Sequence, residues 1–257
     1  MNIYQHYRPE EHAFIDKVNG WKLAVAEQYT VRLTDFLNPR EQFILQQVIG
    51  NHPDVSLSFW GGSSYSERKR ALIHPPFVPA ENEDFSITCF EVNYPAKFVK
   101  LEHKDILGAL MNLGVKREKY GDIVISGETI QLSAASEIAG YLRLSFEKAG
   151  RASVTLNELE PGMFLGAREE YTEKNGTVSS LRLDAVMSEM YSISRSKASA
   201  LIAGGKVKVN WRQVENTSFE LEGGDYVSVR GYGRSKLFSI DGQTKKDKQR
   251  IRYGILK

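Results

Sequence analysis

The order of hydrophobic periodicities between residues 85 and 159 restricts this chain more than any other feature. Alternating apolar positions in SITCFEVNY give way to helical spacing over Glu102 to Leu113, where Ile106, Leu107, Leu110 and Met111 share a face. Two more alternating runs follow, GDIVIS and TIQLSA. A second helical pattern from Ser136 to Ala149 and a last strand, ASVTLNEL, complete a βαββαβ series. That order matches a ferredoxin-like split βαβ sandwich, a layout used by many RNA-binding domains and by many proteins with other roles. The presumed central strands carry no aromatic motif of the kind on which such sheets stack bases, so their apolar positions are read as core.

The flanks divide the chain. Three of the eight prolines fall in Pro75-Pro76-Phe77-Val78-Pro79, whose fixed φ angles favour an extended connection. Upstream, Phe14, Ile15, Val18, Trp21 and Val25 recur at helical spacing over residues 10 to 28. A second helix begins at Asn38, with Pro39 in its first position, Glu41 completing a capping box and Gly50 as its stop. Val55, Leu57 and Phe59 alternate with serines as in a half-buried strand, and Gly61-Gly62 is read as a turn before a helix. Pro161-Gly162 and the polar stretch REEYTEKNGTVSS read as a second linker. The expected class is α+β: a mainly helical domain over residues 1–74, a ferredoxin-like domain over 80–160 and a small unit over 181–257.

A chain of 257 residues with 41% apolar and 26% charged residues can bury real cores, which excludes disorder as its main state. No apolar run is long enough to span a bilayer, and MNIYQHYRPEEH has neither a basic nor an apolar leader region, so a cytoplasmic protein without membrane contact is expected. Cys89 is the only cysteine, which excludes an intrachain disulfide scaffold and a zinc finger. No cofactor, metal or small-molecule substrate is expected. The formal charge of +2 hides a division: residues 181–257 carry 15 Lys and Arg against 8 Asp and Glu, net +7, and the remainder is −5. Such asymmetry suggests a module that binds a polyanion.

In the basic unit, Leu183, Val186, Met187 and Met190 fall on one helical face, flanked by Arg182 and Asp184. Ser194 can cap a second helix whose buried stripe is Ala198, Leu201 and Ile202, with Arg195 and Lys197 beside it and Gly204-Gly205 at its end. The strand KVKVN then puts Val207 and Val209 on one side and Lys206 and Lys208 on the other. A contiguous surface of Arg182, Arg195, Lys197, Lys206 and Lys208 is expected to clamp successive phosphates.

This segment resembles the alpha-L RNA-binding motif, named after ribosomal protein S four of the small subunit. The pattern is carried by Arg182-Leu183-Asp184, Ser194-Arg195, Ala198, Leu201-Ile202, Gly205, Val207, Val209-Asn210 and Gly224-Asp225. It departs at Trp211, where glycine commonly follows, and at Thr217, where proline is frequent. The resemblance implies that the paired helices face structured RNA, with Arg182, Asp184, Ser194, Arg195, Ser196, Lys197, Lys206, Lys208 and Arg212 as the RNA-binding set. The strings FLNPREQ, FWGGSSYSERKRALI and HKDILGALMNLGVKREKYGDI are similar to the bacterial YlmH family. Members of that family are linked to cell division by genomic neighbourhood, and they resemble factors that bind obstructed large ribosomal subunits carrying peptidyl-tRNA. The resemblance therefore implies ribosomal RNA and tRNA on the large subunit as partners, with cell-division proteins as further ones.

Competing readings are weaker. Arg182-Leu183-Asp184 also resembles the catalytic aspartate motif of pseudouridine synthases, yet here it opens the binding motif, so no catalytic residue is expected. Gly61-Gly62 with Arg68-Lys69-Arg70 lacks the spacing of a triphosphate loop. Lys116-Arg117-Glu118-Lys119 reads as a solvated loop or an RNA contact, and His103 beside Asp105 as a helix start. Lys245, Lys246, Lys248, Arg250 and Arg252 read as a basic tail, either solubilising or in reach of RNA. The expected function is that of a non-enzymatic RNA-binding protein of the ribosome, with an RNA-modifying enzyme or a division-site scaffold as alternatives.

Overall fold

The computed structural model describes residues 3–166 and 170–256. It divides into two compact units between residues 168 and 169.

In the first unit, α1 (His12–Gln28) buries Ile15, Val18 and Val25 and stops where Tyr29 turns left-handed, φ 52°. After β1 (Arg32–Leu33), α2 (Pro39–Ile49) begins as its sequence requires. The Asn38 side chain accepts from the Glu41 amide at 3.0 Å, and the Asn38 amide donates to the Glu41 carboxylate at 2.7 Å. β2 (Ser56–Trp60) and β3 (Arg70–His74) complete an antiparallel sheet of order β1-β3-β2. The N-terminal helices thus pack on a sheet, through Ile15, Val18, Ile44, Leu45, Ala71 and Ile73. The turn at Gly61-Gly62 leads into strand β3 and not into a helix; the segment after it is held by the Asp122 carboxylate, which accepts from the amides of Glu67 (2.6 Å) and Arg68 (3.1 Å).

Beyond the proline stretch come β4 (Ile87–Asn93), α3 (His103–Asn112), β5 (Tyr120–Ser126), β6 (Thr129–Ala135) and α4 (Ser136–Ser145). A small hairpin, β7 (Lys148–Ala149) with β8 (Ala152–Ser153), precedes β9 (Thr155–Glu158). The sheet order β5-β6-β4-β9, antiparallel throughout, is the ferredoxin-like arrangement. Phe90, Val92, Ile130 and Leu132 pack against Ile106 and Leu110 of α3 and Leu142 of α4. The second helix ends four residues before the expected Ala149, because Phe146 leaves helical geometry and the β7-β8 hairpin brings Ala149 and Ala152 into the core. The opposite face of this sheet is covered: a Cβ on Gly121 would lie 2.7 Å from the Phe36 ring, and the Leu165 amide donates to Gln131 at 2.9 Å. Nucleotides cannot stack where these residues lie.

The second unit opens with β10 (Tyr171–Val178), then α5 (Leu183–Met190), α6 (Arg195–Ala203), β11 (Val207–Val209), β12 (Arg212–Gln213), β13 (Tyr226–Val229), β14 (Gly233–Gln243) and β15 (Gln249–Leu256). They form one antiparallel sheet of order β10-β15-β14-β13-β11-β12. Two expectations are corrected. Residues 171–178 of the supposed linker pair with β15 from Tyr171↔Leu256 to Val178↔Gln249; Arg168 and Glu169 of that stretch lie outside the described residues. The supposed basic tail is strand β15 itself, joined to β14 by the turn that holds the three lysines. A sequence alternating IRYGIL is strand-like on its own, and its Ile251 and Tyr253 are buried. Both helices lie on one side of the sheet, where Leu183, Val186, Met187, Ala198 and Ile202 meet Val207, Val209, Val227 and Leu237.

Candidate nucleic-acid interface

Apolar burial sets the two helices, and a single carboxylate ties their starts together. Asp184, whose side chain is 7% exposed, accepts from Arg182 at 3.0 and 3.2 Å and from Arg195 at 3.2 Å through each oxygen. Burial opposes the Asp184 charge, but the hydrogen bonds and charges of the two guanidinium groups prevail and hold its carboxyl below the usual range. The arginines keep 38% and 52% of their side-chain surface exposed, so both retain outward donors on a fixed base. Ser194 caps α6, accepting from the Lys197 amide at 3.2 Å. Ser196 and Lys197 are exposed in its first turn, and the Lys197 ammonium lies 5.4 Å from the Tyr232 ring. Tyr232 was not legible as a partner of Lys197, being thirty-five residues distant in the chain.

The remaining expected residues do not all join this cluster. Val207 and Val209 face the helices, so strand alternation turns Lys208 to the other side of the sheet; Lys206, exposed, shares its parity. Arg212 is exposed on the edge strand β12, opposite Val209. The single surface expected from the sequence is therefore two: Arg182, Arg195 and Lys197 at the helix starts, and Lys208 behind them.

The hairpin between β11 and β12 forms despite Trp211. Asn210 and Trp211 both have positive φ, 48° and 67°. The strain of a left-handed tryptophan is offset by its packing on Tyr226, with ring centroids 4.9 Å apart. Asn210 donates to the Asp225 carboxylate at 2.7 Å and accepts from the Tyr226 amide at 3.0 Å. The Val-Asn and Gly-Asp pairs of the motif are thus joined in space and shape the module.

In the basic strings outside this unit, Arg68, Arg70, Arg117 and Lys119 make internal contacts. Arg68 and Arg70 are each 5% exposed and donate to the carbonyls of Phe36 and Thr34. Arg117, although its residue is exposed overall, turns its guanidinium onto the carbonyls of Tyr120 (2.7 Å) and Gly121 (3.2 Å) and over the Tyr120 ring. Lys119 is paired with Asp35 and Glu137. Arg117 and Lys119 thus brace the loop from within, while Lys116 is exposed. Among the described residues no group of His, Cys, Asp and Glu could hold a metal ion, and burial pushes the Cys89 thiol up to about 12. Among the described residues no helix is long and apolar enough to cross a membrane.

Three family models match: "YlmH, N-terminal" over residues 10–78, "Putative RNA-binding domain in YlmH" over 79–161, and "S4 domain" over 181–227. The chain is 45% identical over 252 residues, 98% of each chain, to the ribosome-associated protein quality control protein P2 of Bacillus subtilis (strain 168). A solved structure named cell division protein ylmH from Streptococcus pneumoniae is 32% identical, with a TM-score of 0.53, covering 62% of this chain and 96% of that one.

Proposed function

The chain belongs to the YlmH family, and from that premise we propose that it is a non-enzymatic, cytoplasmic RNA-binding protein acting on large ribosomal subunits that carry tRNA or peptidyl-tRNA. The observation that carries the RNA-binding part is the Arg182–Asp184–Arg195 cluster at the start of both helices, two guanidinium groups aimed outward from one buried carboxylate. In this reading Arg182, Arg195 and Lys197 meet phosphates, Ser194 and Ser196 add hydroxyl contacts, Lys206 and Arg212 extend the contact around the sheet edge, and Asp184 positions the arginines. The ribosomal part draws on the printed name of the Bacillus relative.

The enzymatic alternative is disfavoured because Asp184 has both oxygens engaged by arginines on a helix start, a poor setting for a nucleophile. The name of the Streptococcus structure favours a division-linked scaffold as the second reading. Binding of the full chain to an RNA hairpin across a salt series separates them. The RNA-binding reading expects affinity to fall steeply with salt as counterions are released, and Arg195→Ala with Lys197→Ala to cost on the order of 2 kcal/mol of binding. A flat salt dependence or an unaffected double variant would refute it.

A further inference from the structure

Side-chain alternation puts a second set of residues on the face of the C-terminal sheet turned away from α5 and α6. Val227, Val229, Ser235, Leu237 and Tyr253 point toward the helices, so Lys208, Tyr226, Arg234, Lys236 and Arg252 point the other way. Cations and rings interleave there. The Arg234 guanidinium lies 5.4 Å from the Trp211 ring centroid, Lys236 lies 4.4 Å from that of Tyr226, and Arg252 lies 6.0 Å from that of Phe238. Phe238 lies across the backbone of Gly254: a Cβ at that position would fall 2.7 Å from its ring, and 2.8 Å from Tyr171 Cβ. A glycine in the middle of a strand costs stability, and here it admits the half-buried Phe238 ring, which also meets Tyr171 edge to face at 5.5 Å.

We propose that this face is a second RNA surface, one that takes unpaired nucleotides, with bases stacking on the Trp211–Arg234 and Phe238–Arg252 pairs and Lys208 meeting the backbone. Deepening the RNA-binding reading, it assigns structured RNA to the helix starts and single-stranded RNA to the opposite side of the same module. Sequence-tolerant binding of single strands combines cations that follow the backbone with rings that receive successive bases, and both components alternate here across adjacent strands. A duplex offers no free base faces to such a surface. Glu173, which shares this side on β10, is too few in charge to cancel the cations around it.

The test measures binding of the full chain to a twelve-nucleotide polyuridine and to an RNA hairpin with a fully paired stem and the shortest loop that closes it. Trp211→Ala with Phe238→Ala is expected to weaken polyuridine binding about tenfold or more and hairpin binding less than twofold. Arg195→Ala with Lys197→Ala is expected to do the reverse. Should the aromatic variant melt early, Lys208→Gln with Arg252→Gln, both exposed, is expected to weaken polyuridine binding selectively. Hairpin binding by the native chain together with polyuridine binding that is absent, or unchanged in these variants, overturns this proposal alone. Failure to bind either RNA overturns it together with the reading it rests on. Displacement of polyuridine by polyglutamate at equal concentration would show that the face reads charge without bases, and would also overturn it.

Discussion

Asp184 is the residue on which the helix starts depend. Two arginines donate to it, and its folded carboxyl is held below the usual range, so its contribution to stability is present above the unfolded value of about 3.9 and is lost as pH falls through the folded one. Thermal melts between pH 7 and pH 2.5 are therefore expected to show a loss of stability below about pH 4 that is smaller in Asp184→Asn. At neutral pH the same variant is expected to be about 1 to 3 kcal/mol less stable, since its buried amide cannot satisfy both guanidinium groups. An identical pH profile in the two proteins would remove Asp184 from this role. Arg117 makes the contrasting case. Arg117→Ala is expected to lower stability by about 1 to 3 kcal/mol, by orphaning the carbonyls of Tyr120 and Gly121, while leaving RNA affinity unchanged. Lost RNA binding without lost stability would restore that loop to the interface.

Among the elements, legibility followed the range of the interactions that decide each one. The capping box at Asn38, the cap at Ser194 and the βαββαβ series are local patterns, and each could be read from neighbouring residues. Whether TEKNGTV is a linker or a strand depends on a partner some eighty residues away, so its polarity alone suggested a linker. In the charge string around Arg117, the inward turn of its head could not be read, because its acceptors are carbonyls, which no sequence pattern marks. Within the candidate site, Arg195 and Lys197 were legible from the motif, whereas Trp211, Tyr226 and Phe238 emerged only once the strands shared one sheet. β10 itself supplies a test. A fragment beginning at Glu170 is expected to be monomeric and to unfold cooperatively, whereas one beginning at Leu181 bares the edge of β15 and is expected to melt lower and self-associate. Equal melts and elution volumes for the two fragments would contradict an integral β10.

The whole molecule comprises a basic module that binds RNA and a body whose arginines and lysines at residues 68, 70, 117 and 119 are spent on internal contacts. Such a body raises affinity only if its remaining surface meets the same particle, in which case linked contacts increase avidity by about 10² or more. The most direct test is sedimentation of the full chain with purified large ribosomal subunits, with and without peptidyl-tRNA, alongside the Arg195/Lys197 double alanine variant. The native chain is expected to move with the subunits, more completely when peptidyl-tRNA is present, and the variant to stay near the top of the gradient at moderate salt. A native chain that stays at the top with the loaded subunits, or a variant that travels with them equally well, would contradict this expectation.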